Sequence, residues 1–136
     1  MKFQTTRAAE LESLAVFRSF IEDACRRQQL QDAEIVYDLK LAVDEACTNI
    51  ITHGYAGMNP GSIILALEFE PGRVLVRITD FGHAFEPSQT PLPDLQANLN
   101  GQRVGGFGLY FIYQTMDRVD YEVTEDGNCL TFTKLL

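Results

Sequence analysis

Apolar positions along this chain recur at helical spacing first and at strand spacing later. After a short strand expected at Lys2 to Thr5, residues Ala8 to Gln28 place Leu11, Leu14, Phe17, Ile21 and Ala24 three and four apart, with Glu12, Arg18 and Glu22 between them. That spacing predicts one amphipathic helix. A second helix is expected from Asp32, whose side chain suits an N-cap, through Ile35, Val36, Leu39, Ala42, Val43, Ala46 and Ile50 to a stop at His53-Gly54. From Ser62 the period falls to two. Ile63, Leu65, Leu67 and Phe69 alternate with other residues, Pro71-Gly72 makes a turn, and Val74, Val76 and Ile78 alternate again up to Asp80, which reads as a hairpin.

Gly82 to Val104 is rich in Pro, Gly, Asn and Gln and lacks periodicity, so it is long for a connection in a small domain, as functional loops often are. A third helix is expected over Phe107 to Met116, with Leu109, Ile112, Tyr113 and Met116 on one face. Strands around Val119 to Thr124 and Leu130 to Lys134 follow, joined by a turn at Asp126-Gly127. This order predicts an α+β fold, a two-layer sandwich of three helices on one face of a mainly antiparallel sheet. No repeat or boundary interrupts it, so residues 1–136 are expected to form a single domain.

Composition narrows the function. A formal net charge of -8, from 19 acidic against 11 basic residues, repels a phosphate backbone and argues against direct nucleic-acid binding. Cys25, Cys47 and Cys129 are odd in number, widely spaced and outside any paired-cysteine motif, which argues against structural zinc and a disulfide framework. No stretch approaches the length of an apolar membrane span, so a cytoplasmic protein without membrane association is expected.

Three polar places stand apart from the core pattern. On the second helix, Glu45, Asn49 and His53 are four residues apart, rising by about 6 Å per step along nearly one face. A carboxamide oxygen there can ligate Mg²⁺ and a carboxylate can accept a proton, although an ordinary solvated helix face has the same composition. Asp80-Phe81-Gly82 closes a strand, where an ionised Asp can accept a hydrogen bond from an exocyclic amine and glycine lets a flat base approach the backbone. A plain turn would use the same residues. The tripeptide also spells the metal motif of eukaryotic-type protein kinases, but the catalytic-loop and lysine-strand signatures of that fold are missing. Finally, Gly105, Gly106 and Gly108 open a helix, where free N–H groups and the dipole favour phosphate oxygens. A hinge with an N-cap is the competing explanation, and neither the Walker nor the Rossmann spacing is present.

Together, Leu41-Ala42-Val43-Asp44-Glu45-Ala46-Cys47-Thr48-Asn49, Asp80-Phe81-Gly82 and Gly105-Gly106-Phe107-Gly108-Leu109 resemble the N, G1 and G2 boxes of the histidine-kinase-like ATPases, the Bergerat fold. Phe85-x-Pro87 after the G1 turn, and the run from Gly108 to Asp117, are most similar to the bacterial anti-sigma factor serine/threonine kinases. The resemblance implies ATP and Mg²⁺ as ligands, Asn49 as the metal ligand, Glu45 as the base or orienting group, and Asp80 with Gly82 as the adenine site. It implies that Phe85, Gly105, Gly106, Phe107, Gly108 and Leu109 line the nucleotide, with Phe85 to Val104 as the ATP lid. It further implies a STAS-domain antagonist as the phosphoacceptor, a sigma factor as the sequestered partner, and commonly a homodimer.

Two departures bear on the branch. Ala84 stands where many sensor kinases and chaperone-like ATPases have a second glycine, which favours the anti-sigma group, and Gly54 stands where that group often has alanine, a harmless change. With no phosphoacceptor histidine box and no transducer domain following, the sensor-kinase, gyrase and chaperone branches are not expected. The alternative is an ATP-binding partner switch that transfers no phosphate.

Overall fold

The computed structural model describes residues 1–84 and 112–136. Within them the sheet has five strands in the order β1-β2-β3-β5-β4: β1 Lys2–Ala8, β2 Ser62–Glu70, β3 Arg73–Asp80, β4 Arg118–Thr124 and β5 Gly127–Leu135. All four pairings are antiparallel. Two helices, α1 Ser13–Arg27 and α2 Ala33–Asn49, connect β1 to β2, and residues 112–115 are helical.

Strand alternation decides where the core sits. Ile63, Leu65 and Leu67 of β2, Val74, Val76 and Ile78 of β3, and Leu130 and Phe132 of β5 lie on one face of the sheet. They form one buried cluster with Phe17 and Ile21 of α1 and Leu39, Val43, Ala46 and Ile50 of α2. The opposite face carries residues such as Glu68, Arg77 and Thr131, with Arg77 donating to the Glu68 carboxylate at 3.0 Å. The two-layer α+β sandwich expected from the apolar pattern is therefore the observed one.

Local departures have physical causes. Helix α1 starts at Ser13 rather than Ala8, because β1 runs on to pair Ala8 with Ser62 and Ala9 donates to the Gly61 carbonyl at 2.8 Å. Leu11, placed in the helical stripe by its spacing, is therefore 57% exposed in the connecting turn. Asp32 caps α2 as expected, its Oδ1 accepting from the Glu34 and Ile35 amides at 3.0 and 3.3 Å. The β4–β5 turn consists of residues 125 and 126, with Gly127 already in β5 at φ 130°. Of the third helix, Ile112 and Met116 are buried as expected, whereas Tyr113 is exposed.

The thiols of Cys25 and Cys47 are core groups, whereas Cys129 is half-buried. Burial pushes Cys25 up to about 11. It also raises Cys47, which lies near the negative charges of Asp44 and Asp80. A folded-state pKa above that of the free thiol gives stability that is complete below pH about 9 and lost as pH rises towards the folded value. The urea midpoint is therefore expected to fall between pH 9 and 11. In Cys25→Ala that fall should be smaller, as chemical denaturation at several pH values would read.

Candidate functional site

The inward-facing row of β3 runs Val74, Val76, Ile78 and then Asp80, so strand periodicity itself delivers a carboxylate to the edge of the core. Asp80 is only 5% exposed. A carboxylate so deep requires hydrogen-bond donors. Its Oδ1 accepts from the Gly82 amide at 2.9 Å and from the Asn128 carboxamide at 3.0 Å. Asn128 is the same kind of residue on the neighbouring strand: it extends the inward row of Phe132 and Leu130 and stands opposite Asp80 in the β3–β5 register. Its Nδ2 also donates to the Gly82 carbonyl at 2.9 Å. One buried carboxamide thus holds both the carboxylate and the turn after it.

That turn is docked on the end of the second helix. After Asn49 the helix does not stop but widens into a π turn, Ile50–Gly54, closed by a bond from the Tyr55 amide to the Ile50 carbonyl at 3.0 Å. Single π turns recur at functional sites. Here the wider closure takes His53 out of the simple stacking of residues 45 and 49, since α-helical spacing no longer applies beyond Ile50. Gly54, at the end of the π turn, offers its carbonyl to the His83 amide at 2.5 Å. The Tyr55 hydroxyl accepts from the Phe81 amide at 2.9 Å and donates to the Ser62 carbonyl at 2.8 Å.

Gly82 explains why the contact is close. A Cβ on it would lie 2.3 Å from the Gly54 oxygen and 2.6 Å from the Gly54 carbonyl carbon. Its φ is not in the left-handed region, so packing of backbone against backbone, not conformational freedom, requires glycine. On the Cβ side of Gly82 the space is filled by the π turn.

Glu45 and Asn49 lie one turn apart on α2, both half-buried, and Asn49 immediately precedes the π turn. Their helix is tied to α1 by Arg18 with Asp44 at 2.9 Å and Lys40 with Glu22 at 2.6 Å. Such partly exposed pairs fix orientation more than they add stability. The structure therefore brings Asp80, Gly82 and the C-terminal end of the Glu45–Asn49 helix together. Phe85, Gly105, Gly106, Phe107, Gly108 and Leu109 lie outside the described residues. Among those described, no cluster of three His, Cys, Asp or Glu side chains is arranged to hold a metal, and no helix is long and apolar enough to cross a membrane.

Two residues of the site were not singled out from the sequence. Asn128 had a usable signal, a polar side chain in the inward phase of a strand two residues before Leu130. Tyr55 had less, an aromatic just past the expected helix stop.

The chain matches the family described as the histidine kinase-like ATPase domain over residues 7–134. It is 33% identical over 101 residues to the serine/threonine-protein kinase BtrW of Bordetella bronchiseptica, covering 74% of this chain and 71% of that protein. The serine-protein kinase RsbW of Bacillus velezensis is 31% identical over 133 residues, covering 94% of this chain and 81% of its own length. The serine-protein kinase RsbW of Halalkalibacterium halodurans is 36% identical over 107 residues, covering 74% and 63%.

Proposed function

Since this chain belongs to the histidine kinase-like ATPase family, on its serine/threonine-protein kinase branch, we propose that it is an anti-sigma factor that phosphorylates a serine of a STAS-domain antagonist and otherwise holds a sigma factor. The observation that carries this reading is the docking of the Asp80–Gly82 turn onto the end of the helix bearing Glu45 and Asn49. On this reading the contact would hold the Asp80 carboxylate, assigned to the base, beside the helix whose Glu45 and Asn49 are assigned to the phosphates. Cytoplasmic homodimers of this chain would present the site to both partners.

The residues fit their proposed roles. Both described hydrogen bonds of Asp80 fall on Oδ1, and Oδ2 is assigned to the adenine amine. The Asn49 carboxamide, half-buried at the junction of α2 and the π turn, would hold Mg²⁺. A lone carboxamide suits a hard ion that arrives with the nucleotide's phosphates and keeps several waters. When bound, the metal neutralises charge on the phosphate oxygens. Glu45 takes or orients the proton of the acceptor serine as its oxygen bonds to the γ-phosphorus and the bond to the β–γ bridging oxygen breaks, leaving ADP and phosphoserine. Gly105, Gly106, Phe107, Gly108 and Leu109, with Phe85, are assigned to the phosphate cradle and lid.

Incubating the protein with γ-labelled ATP, Mg²⁺ and a cognate STAS protein tests the reading: label is expected on a STAS serine, and unlabelled antagonist should compete with sigma for the kinase. Nucleotide and partner binding without any transfer would instead support the phosphate-free partner switch.

A further inference from the structure

The antiparallel ladder of β3 ends at Asp80, which pairs with Ile63 on one side and Asn128 on the other. The next amide, that of Phe81, leaves the ladder and must find another acceptor. It finds the phenol of Tyr55, 26 residues earlier, at 2.9 Å. The same hydroxyl donates to the carbonyl of Ser62, the residue before Ile63, at 2.8 Å. Tyr55 thus extends the ladder by one rung with a side chain. The ring is 5% exposed, and burial, with the nearby Asp80 charge, raises its phenol above the ordinary value, so it remains a neutral donor. Room for the hydroxyl comes from Gly61, on which a Cβ would lie 2.8 Å from the Tyr55 oxygen.

From this geometry we infer that Tyr55 is a positioning residue for base recognition: its hydroxyl fixes the Phe81 amide and, through it, the angle at which the Asp80 carboxylate meets the 6-amine of a purine. The inference rests on the proposed pairing of Asp80 with adenine. Asn128 and the Gly82 amide hold one oxygen of the carboxylate, while Tyr55 holds the backbone from which that carboxylate projects. The anchor is also linked to the metal end. Asn49 precedes the π turn and Tyr55 follows it, so both ends of the nucleotide are referred to the same five residues, Ile50–Gly54.

A general structural role would weaken binding of all nucleotides alike; a positioning role changes selectivity for the amine. The test measures calorimetric Kd values for Mg-ATP and for Mg-purine riboside triphosphate, which lacks the 6-amine, on the wild type, Tyr55→Phe, Gly61→Ala and Asp80→Asn. Tyr55→Phe keeps the ring and removes the hydroxyl; Gly61→Ala keeps the hydroxyl and displaces it. Both are expected to weaken ATP binding about tenfold and to lower the preference for ATP over the amine-free analogue at least about fivefold, since a buried polar partner left misaligned costs its selectivity. Equal losses for the two nucleotides, or no loss, in both variants would overturn the inference while leaving base recognition intact, provided that Asp80→Asn abolishes the preference. If Asp80→Asn keeps the wild-type preference, the adenine reading itself fails and the inference with it. Should Tyr55→Phe not fold, Gly61→Ala decides between these results.

Discussion

Replacing Glu45 with alanine is expected to slow phosphoryl transfer to the antagonist by about 10²- to 10⁴-fold, the usual worth of a positioned acid–base group, while ATP affinity changes by less than about threefold. The separation follows from placement. Glu45 lies one helical turn before Asn49 and two turns before the π turn's end, on the far side of Asn49 from Asp80 in the chain. In the proposed reading Glu45 would address the phosphate end of the nucleotide, whereas adenine recognition would depend on groups anchored beyond Gly54. Neutralising a negative side chain near polyphosphate relieves repulsion, so ground-state binding should hold or tighten slightly. Single-turnover transfer from labelled ATP, run beside equilibrium nucleotide binding, separates the two quantities. Transfer within threefold of the wild type would remove Glu45 from the chemistry.

The second large effect concerns two glycines that face each other and behave oppositely. Gly82→Ala forces a methyl group into the Gly54 carbonyl, 2.3 Å from its oxygen. No rotamer escapes that contact, because Cβ is fixed by the backbone. The Asp80–Gly82 turn must lift off the π turn, breaking the His83–Gly54 bond and rotating the carbonyl held by Asn128. A loss of about 2–4 kcal/mol in stability is expected, with ATP binding reduced in parallel. Gly54→Ala meets only ordinary contacts, to Ile50 at 3.6 Å, Asp80 at 3.7 Å and the His83 carbonyl at 3.8 Å. With helical backbone on its N-terminal side, alanine there should raise stability by about 0.4–1 kcal/mol through a less flexible unfolded chain. Thermal and urea unfolding of both variants give the comparison, and a Gly82→Ala protein as stable as its parent would show that the two turns are not locked together.

Much of the fold was legible because alternation is unambiguous where one sheet face is buried. Ile63 to Phe69 and Val74 to Ile78 give their strands directly, and the same phase carries Asp80 to the interior. The start of α1 was not legible. Ala8, Ala9 and Leu11 satisfy a helical stripe as well as a strand end and turn, and only pairing with Ser62 and Gly61, more than fifty residues away, decides between them. The π turn left no trace either, since Ile50 to Gly54 continue the apolar spacing of α2, and its register depends on what Gly54 and Tyr55 contact afterwards. Motif order singled out Asp80 and Gly82 but not the close contact at 82, which lies in a carbonyl contributed from residue 54. Asn128 was visible in principle, as a polar residue in an apolar phase, and was masked by its place beside a hairpin turn.

The Asn128–Asp80 bond spans 48 residues and joins the site to β5, the last strand of the sheet in chain order. Residue 128 follows both strands of the β2–β3 hairpin in the chain, so it is synthesised after the carboxylate it holds. During synthesis, the helices and the β2–β3 hairpin can associate before residue 128 has left the ribosome, but the carboxylate then lacks one of its two donors. A chain still lacking its last strand is therefore expected to hold the Asp80 carboxylate through the Gly82 amide alone.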